Sequence, residues 1–85
     1  MKAYEINHGL CWKWALEVHK MYPHAKLCYL RSYHAFVKIG NLFYDAEKPL
    51  GVKKVNRLPY FKKWKTGPQI VECDSELEFN KNWDS

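Results

Sequence analysis

The sequence predicts an α+β domain in which an amino-terminal helix bearing a cysteine packs on a small antiparallel sheet. Two observations carry that expectation. From Leu10 to Tyr22, apolar residues recur at the three-and-four spacing of a helix with one buried face. From Ala25 to Ala46, β-type runs flank Gly40-Asn41, a two-residue hairpin signal.

In the helix, Cys11, Trp14, Ala15, Val18, Met21 and Tyr22 share the apolar face, while Lys13, Glu17 and Lys20 lie on another. Asn7 is the expected N-cap and Gly9 allows a tight approach to it. Pro23 ends the helix, because proline cannot continue the ladder and disfavours a helical residue before it. Cys11 is thereby placed in the first turn.

Ala25 to Arg31, Tyr33 to Ile39 and Leu42 to Ala46 read as strands. With Gly40 and Asn41 as the loop, Ile39 pairs with Leu42, Phe36 lies opposite Asp45 and His34 opposite Glu47. His34 and Asp45 then become diagonal neighbours on one face. A four-residue loop keeps this register, whereas a three-residue loop puts the two side chains on opposite faces. The His34 face is expected to turn toward Cys11, and the face carrying Ala35, Val37, Ile39, Leu42, Tyr44 and Ala46 to need cover from the carboxyl-terminal half or another subunit.

Glu47-Lys48-Pro49-Leu50-Gly51 reads as a turn-rich break. The basic aromatic stretch from Val52 to Lys65, divided by Pro59, reads as loop with a short helix. Gln69 to Cys73 is a further strand, and Asp74-Ser75-Glu76-Leu77-Glu78 is a capped start to a helix reaching Trp83.

Composition bounds the rest. A chain of 85 residues reads as one domain, 1–85, with a small core. It is 47% hydrophobic and 16% aromatic, which excludes a disordered segment. No signal peptide or run of eighteen apolar residues is visible, so a cytoplasmic protein with no membrane association is expected. Three cysteines, Cys11, Cys28 and Cys73, with no close pair argue against a disulfide framework, and Cys28 and Cys73 read as structural. The net charge of +5 favours anionic partners without specifying a reaction.

A thiol needs a base to become a thiolate, and the base needs an acceptor to fix its tautomer, so Cys11, His34 and Asp45 form a minimal set for nucleophilic catalysis. A helix amino terminus contributes only about 0.3–1 kcal/mol to a nearby anion, too little to make a potent thiolate. His34 as a cation would supply the rest, with Asp45 orienting its ring. A free first-turn N–H on Cys11 would serve a developing oxyanion.

Gly9-Leu10-Cys11-Trp12-Lys13-Trp14-Ala15 resembles the helix start of papain-like cysteine hydrolases. His34-Ala35-Phe36-Val37, followed by Phe43-Tyr44-Asp45-Ala46, is similar to the strands of their transglutaminase-like branch. The resemblance spans about residues 7–46 and implies a minimal papain-like core, with Cys11 as nucleophile, His34 as base and Asp45 as orienter. It also implies that Trp12 stands on the oxyanion and substrate side. The family's oxyanion glutamine has no counterpart; Glu5, Asn7 and His8 occupy the stretch before the cysteine, and Asn7 is the substitute. Without the family's second lobe, a homodimer or protein partner is expected to complete the cleft.

The predicted function is hydrolysis or transfer at a peptide, isopeptide or side-chain amide through a Cys11 thioester, with no cofactor and no metal. Its protein or peptide substrate is unspecified. The alternatives are a silent domain that binds or inhibits a protein, and a nucleic-acid-binding module. The latter would use Lys53, Lys54, Arg57, Lys62, Lys63 and Lys65 with Tyr60, Phe61 and Trp64, and weak binding of this kind is compatible with the enzyme reading. Such a run more usually forms a solvated face whose rings pack on the sheet. A zinc site from His8, Cys11, His24 and Cys28 is a further alternative by spacing.

Overall fold

The computed structural model describes residues 2–31, 33–62 and 69–83. A short helix, α1 (Ala3–Glu5), runs into a π-helical turn at Ile6–Leu10 and then into α2 (Cys11–Met21). Five antiparallel strands follow: β1 (Lys26–Leu30), β2 (His34–Ile39), β3 (Leu42–Asp45), β4 (Lys48–Val52) and β5 (Val71–Cys73). Their order across the sheet is β4-β3-β2-β1-β5, and α3 (Glu76–Asn82) closes the chain.

Cys11 opens α2 as expected, but the chain before it is already helical. Asn7 is therefore no N-cap: it is buried within the π turn, and its side chain bonds across the molecule instead. A π turn widens the helix by one residue, a feature frequent at functional sites. At the other end of α2 the chain leaves helical geometry at Tyr22, just before Pro23.

The hairpin register is the one the Gly-Asn loop dictates, with Ile39 opposite Leu42 and Val37 opposite Tyr44. Gly40 takes a positive φ of 60°, which its lack of a Cβ permits. Where the sequence reads as a break after Glu47, the structure has β4. Pro49 is tolerated there because β4 is an edge strand, whose outer side needs no ladder donor.

Gly51 in the same strand has a φ of 88°, and a Cβ built on it would lie 2.7 Å from the Tyr44 ring and 3.2 Å from Leu42 Cβ. Gly51→Ala is expected to cost about 1–3 kcal/mol, from backbone strain and displacement of the ring. Urea denaturation measures it, and an unchanged midpoint would contradict this reading of β4.

The helix lies on the face opposite to the one expected. Cys11 and Ala15 pack with Ala35, Val37, Leu27, Tyr29 and Phe79, so α2 and α3 together cover the Ala35 face. The other face, carrying Cys28 and Phe36, is covered by Leu58 and Phe61 from the 3₁₀ turns at Val55–Arg57 and Pro59–Phe61. The reason is volume: small Ala15 and Ala35 let helix and sheet approach closely, whereas the Phe36 face takes the rings of a loop. α3 begins as predicted, with Ser75 Oγ accepting from the Glu78 N–H at 3.3 Å. Lys63, Trp64 and Lys65 lie outside the described residues.

Candidate active site

The site grows from the end of β3. Asp45 begins the two-residue turn into β4, and its Oδ1 accepts from the backbone N–H groups of Glu47 and Lys48, both at 3.0 Å. That Asx turn fixes the carboxylate and leaves Oδ2 for His34, whose Nε2 lies 3.2 Å away. Both side chains are 0% exposed. Asp45 bonds backbone donors through Oδ1, so Oδ2 is the acceptor for an Nε2–H on His34. This tautomer leaves Nδ1 bare.

Cys11 approaches from the other face. His34 is the first residue of β2 and Cys11 the first of α2, so thiol and imidazole meet around the end of the strand. Burial pushes the Cys11 thiol up, but the adjacent His34 ring and the N–H groups of Ala35 and Trp12 outweigh it, and the net shift is down. For His34, burial pushes down, and Asp45 and the Cys11 sulfur outweigh it, so the net shift is up. No hydrogen bond reaches His34 Nδ1 among the described residues. The Cys11 sulfur nevertheless lies close enough to the ring that hydrogen bonding and charge together couple the two groups.

Aromatic rings enclose the imidazole. Tyr60 stacks on it with centroids 4.6 Å apart and planes 10° apart, Phe61 meets it edge-on at 5.5 Å, and Phe36 lies 5.9 Å away. Tyr60 presents its π face, which favours the imidazolium form and resists rotation of the ring. Sequence reasoning gave Tyr60 a part in the nucleic-acid alternative and none beside His34. The available signal was Leu58-Pro59-Tyr60-Phe61, an apolar cluster begun by a turn-forming proline inside a basic stretch.

A cavity of about 220 Å³ opens in front of Cys11, lined also by Asn7, His8, Gly9, Tyr33, Tyr60 and Trp83. Asn7 is thus brought to Cys11, but its Nδ2 donates to Glu47 Oε1 at 2.9 Å. Glu47 is a second residue missed at the sequence level, and forty positions of separation hid it. The Trp12 side chain packs with the helix-side core, and only its backbone N–H lies beside the sulfur. A larger cavity of about 430 Å³, between the last turns of α2 and the hairpin, is lined by no cysteine, and the smaller one is the cavity that Cys11 reaches.

The remaining candidates disperse. Burial pushes the Cys28 thiol up to about 12, and Cys73 is also raised by burial, so neither is a nucleophile near neutrality. Cys28 lies in the Phe36 core and His24 on the larger cavity, so the four residues of the zinc alternative do not meet. Among the described residues, no group of three histidine, cysteine or acidic side chains could hold a metal. In the basic stretch, Phe61 is buried in the core while Lys53, Lys54 and Arg57 line a separate recess. Among the described residues no helix is long and apolar enough to cross a membrane. Comparison of the chain with family models, with curated proteins and with solved structures finds no match.

Proposed function

We propose that this chain is a small cysteine-dependent hydrolase or acyl transferase, papain-like in its chemistry, that acts on a peptide, isopeptide or side-chain amide. One observation carries the reading: a fully buried His34 held by Asp45 through Nε2, with its other nitrogen unpaired and a downshifted Cys11 thiol beside it. A merely structural histidine would have both ring nitrogens satisfied.

In the proposed cycle, His34 Nδ1 takes the Cys11 proton and the thiolate forms a C–S bond to the substrate carbonyl, whose π electrons move to oxygen. The Cys11 N–H does not serve that oxyanion as the sequence suggests, because the chain before Cys11 is already helical and this N–H is no longer a first-turn donor. Collapse breaks the C–N bond as His34 passes its proton to the departing nitrogen, leaving an acyl-Cys11 thioester. Water or an amine then attacks with His34 again as base, releasing acid or new amide and restoring the thiol. Asp45 keeps its charge throughout and stabilises the imidazolium.

A cytoplasmic or similarly reducing setting belongs to this reading, since the nucleophile must stay a thiol and all three cysteines are unpaired. So does a second copy or a protein partner at the cleft, where Tyr33 lines the cavity yet is 61% exposed.

The deciding experiment is selective alkylation of the folded chain at about pH 6, where an ordinary thiol is almost wholly protonated. Iodoacetamide is expected to modify Cys11 first, with Cys28 and Cys73 reacting only after denaturation. Equal, slow labelling of all three would reject the enzyme and favour a binding module.

A further inference from the structure

Asn7 is 1% exposed and its Oδ1 has no hydrogen-bond partner among the described residues. An orphaned buried acceptor costs about 1–3 kcal/mol, so a folded chain that keeps one has a reason to. The orientation of the amide is decided by Glu47. Turning it over would set Oδ1 against a carboxylate oxygen now 2.9 Å from Nδ2, two acceptors facing each other. One of the two Nδ2 hydrogens of Asn7 is thus committed and the orientation of the amide fixed, and the atom left without any partner is a carbonyl oxygen, on a residue lining the same 220 Å³ cavity as Cys11.

We infer that Asn7 Oδ1 is the receptor for the N–H of the carboxamide that Cys11 attacks, and that the site therefore takes amides bearing hydrogen on nitrogen and discriminates against tertiary amides and esters. The inference rests on the acyl-transfer reading of Cys11 and names the substrate class of that site. Asn7 and Cys11 stand four positions apart on one helical path, so a group small enough for the cavity meets both. Once the thiolate has added, the C–N bond turns freely and the nitrogen lone pair is localised, and an N–H held by Asn7 then fixes that rotation and directs the lone pair to the proton on His34. A disubstituted nitrogen leaves Oδ1 orphaned in the complex, a loss of the whole hydrogen bond and not a mere weakening.

Glu47 is a positioning residue in this arrangement. Its side chain orients Asn7, while its backbone N–H bonds Asp45 Oδ1 at 3.0 Å, so one turn residue aligns the amide receptor and the acid of the triad. Substituting its side chain disturbs only the first of these tasks.

The test uses iodoacetamide and its N,N-dimethyl analogue on the full chain at about pH 6, with N-acetylcysteine as the free-thiol reference for their intrinsic rate ratio. Adducts at Cys11 are counted by mass spectrometry. Cys11 is expected to favour the N–H reagent about tenfold beyond the free-thiol ratio, the factor one neutral hydrogen bond supplies. Asn7→Ala and Glu47→Ala bring the ratio back to that of the free thiol, and Glu47→Gln, which keeps an acceptor oxygen for Nδ2, rescues the loss. Rapid Cys11 labelling with the free-thiol ratio in the unsubstituted protein would overturn the receptor while leaving the activated thiol in place. Failure of Cys11 to react ahead of Cys28 and Cys73 would remove both. Should Asn7→Ala not fold, the ratio in the unsubstituted protein decides alone.

Discussion

Asp45→Asn is expected to keep the fold and slow the proposed acyl transfer on the order of 10²–10⁴-fold, the usual worth of a correctly protonated general base. The local hydrogen bonds dictate why. The two N–H groups of Glu47 and Lys48 at 3.0 Å still require an oxygen, so the new amide keeps its carbonyl on that side and turns its NH₂ toward His34. His34 Nε2 must then accept. The ring proton moves to Nδ1, the position that should take the Cys11 proton, and the neutral base is disabled while every backbone contact survives. Nitrogen chemical shifts of the imidazole report the tautomer directly, and alkylation kinetics of Cys11 report the consequence. A folded variant with unchanged kinetics would take Asp45 out of the site.

The second large effect belongs to His34→Ala, for which labelling of Cys11 at about pH 6 is expected to fall at least about tenfold. Burial alone raises the Cys11 thiol, and without the imidazole only the N–H groups of Ala35 and Trp12 oppose it. The midpoint of the labelling profile accordingly moves up, into or beyond the ordinary thiol range near 8.5. Stability linked to the two groups has opposite signs. His34, raised in the fold, stabilises fully below about pH 6.5 and loses that contribution as pH rises through its folded value. Cys11, lowered in the fold, stabilises above the ordinary thiol range and loses that contribution as pH falls through its depressed value. In the unsubstituted chain, denaturation midpoints across pH should show both limbs; a profile identical to that of His34→Ala would mean the two groups do not interact.

The parts of this architecture that were legible in the sequence are local. The three-and-four spacing on α2 and the Gly40-Asn41 loop each depend on residues a few positions apart, and the loop alone set the register that brings His34 to Asp45. The β4 strand was hidden by its own composition, since Pro49 and Gly51 signal a turn everywhere except at a sheet edge. The choice of face depended on the packing of Ala15 on α2 with Ala35 on β2, a tertiary fact. Asn7, Glu47 and Tyr60 were illegible as a set for the same reason: the bond between Asn7 and Glu47 spans forty residues, and the stacking of Tyr60 on His34 spans twenty-six.

Because α2 lies on one face of the sheet and the Leu58–Phe61 cover on the other, Cys11 and His34 are anchored in separate hydrophobic cores. Cys11 moves with the Ala35 side and His34 with the rings of Phe36 and Phe61, and the end of β2 together with the Asn7–Glu47 bond holds the two in alignment. The sheet thus acts as a spacer of fixed thickness between two independently packed blocks. A methyl group added to or removed from either block shifts one reactant relative to the other before it threatens the fold, since interiors at close-packed density pass on small displacements. Alignment of the triad is consequently a finer gauge of core integrity in this chain than unfolding itself. Under the proposed function, preferential labelling of Cys11 is expected to be lost first on heating, while the secondary structure still stands.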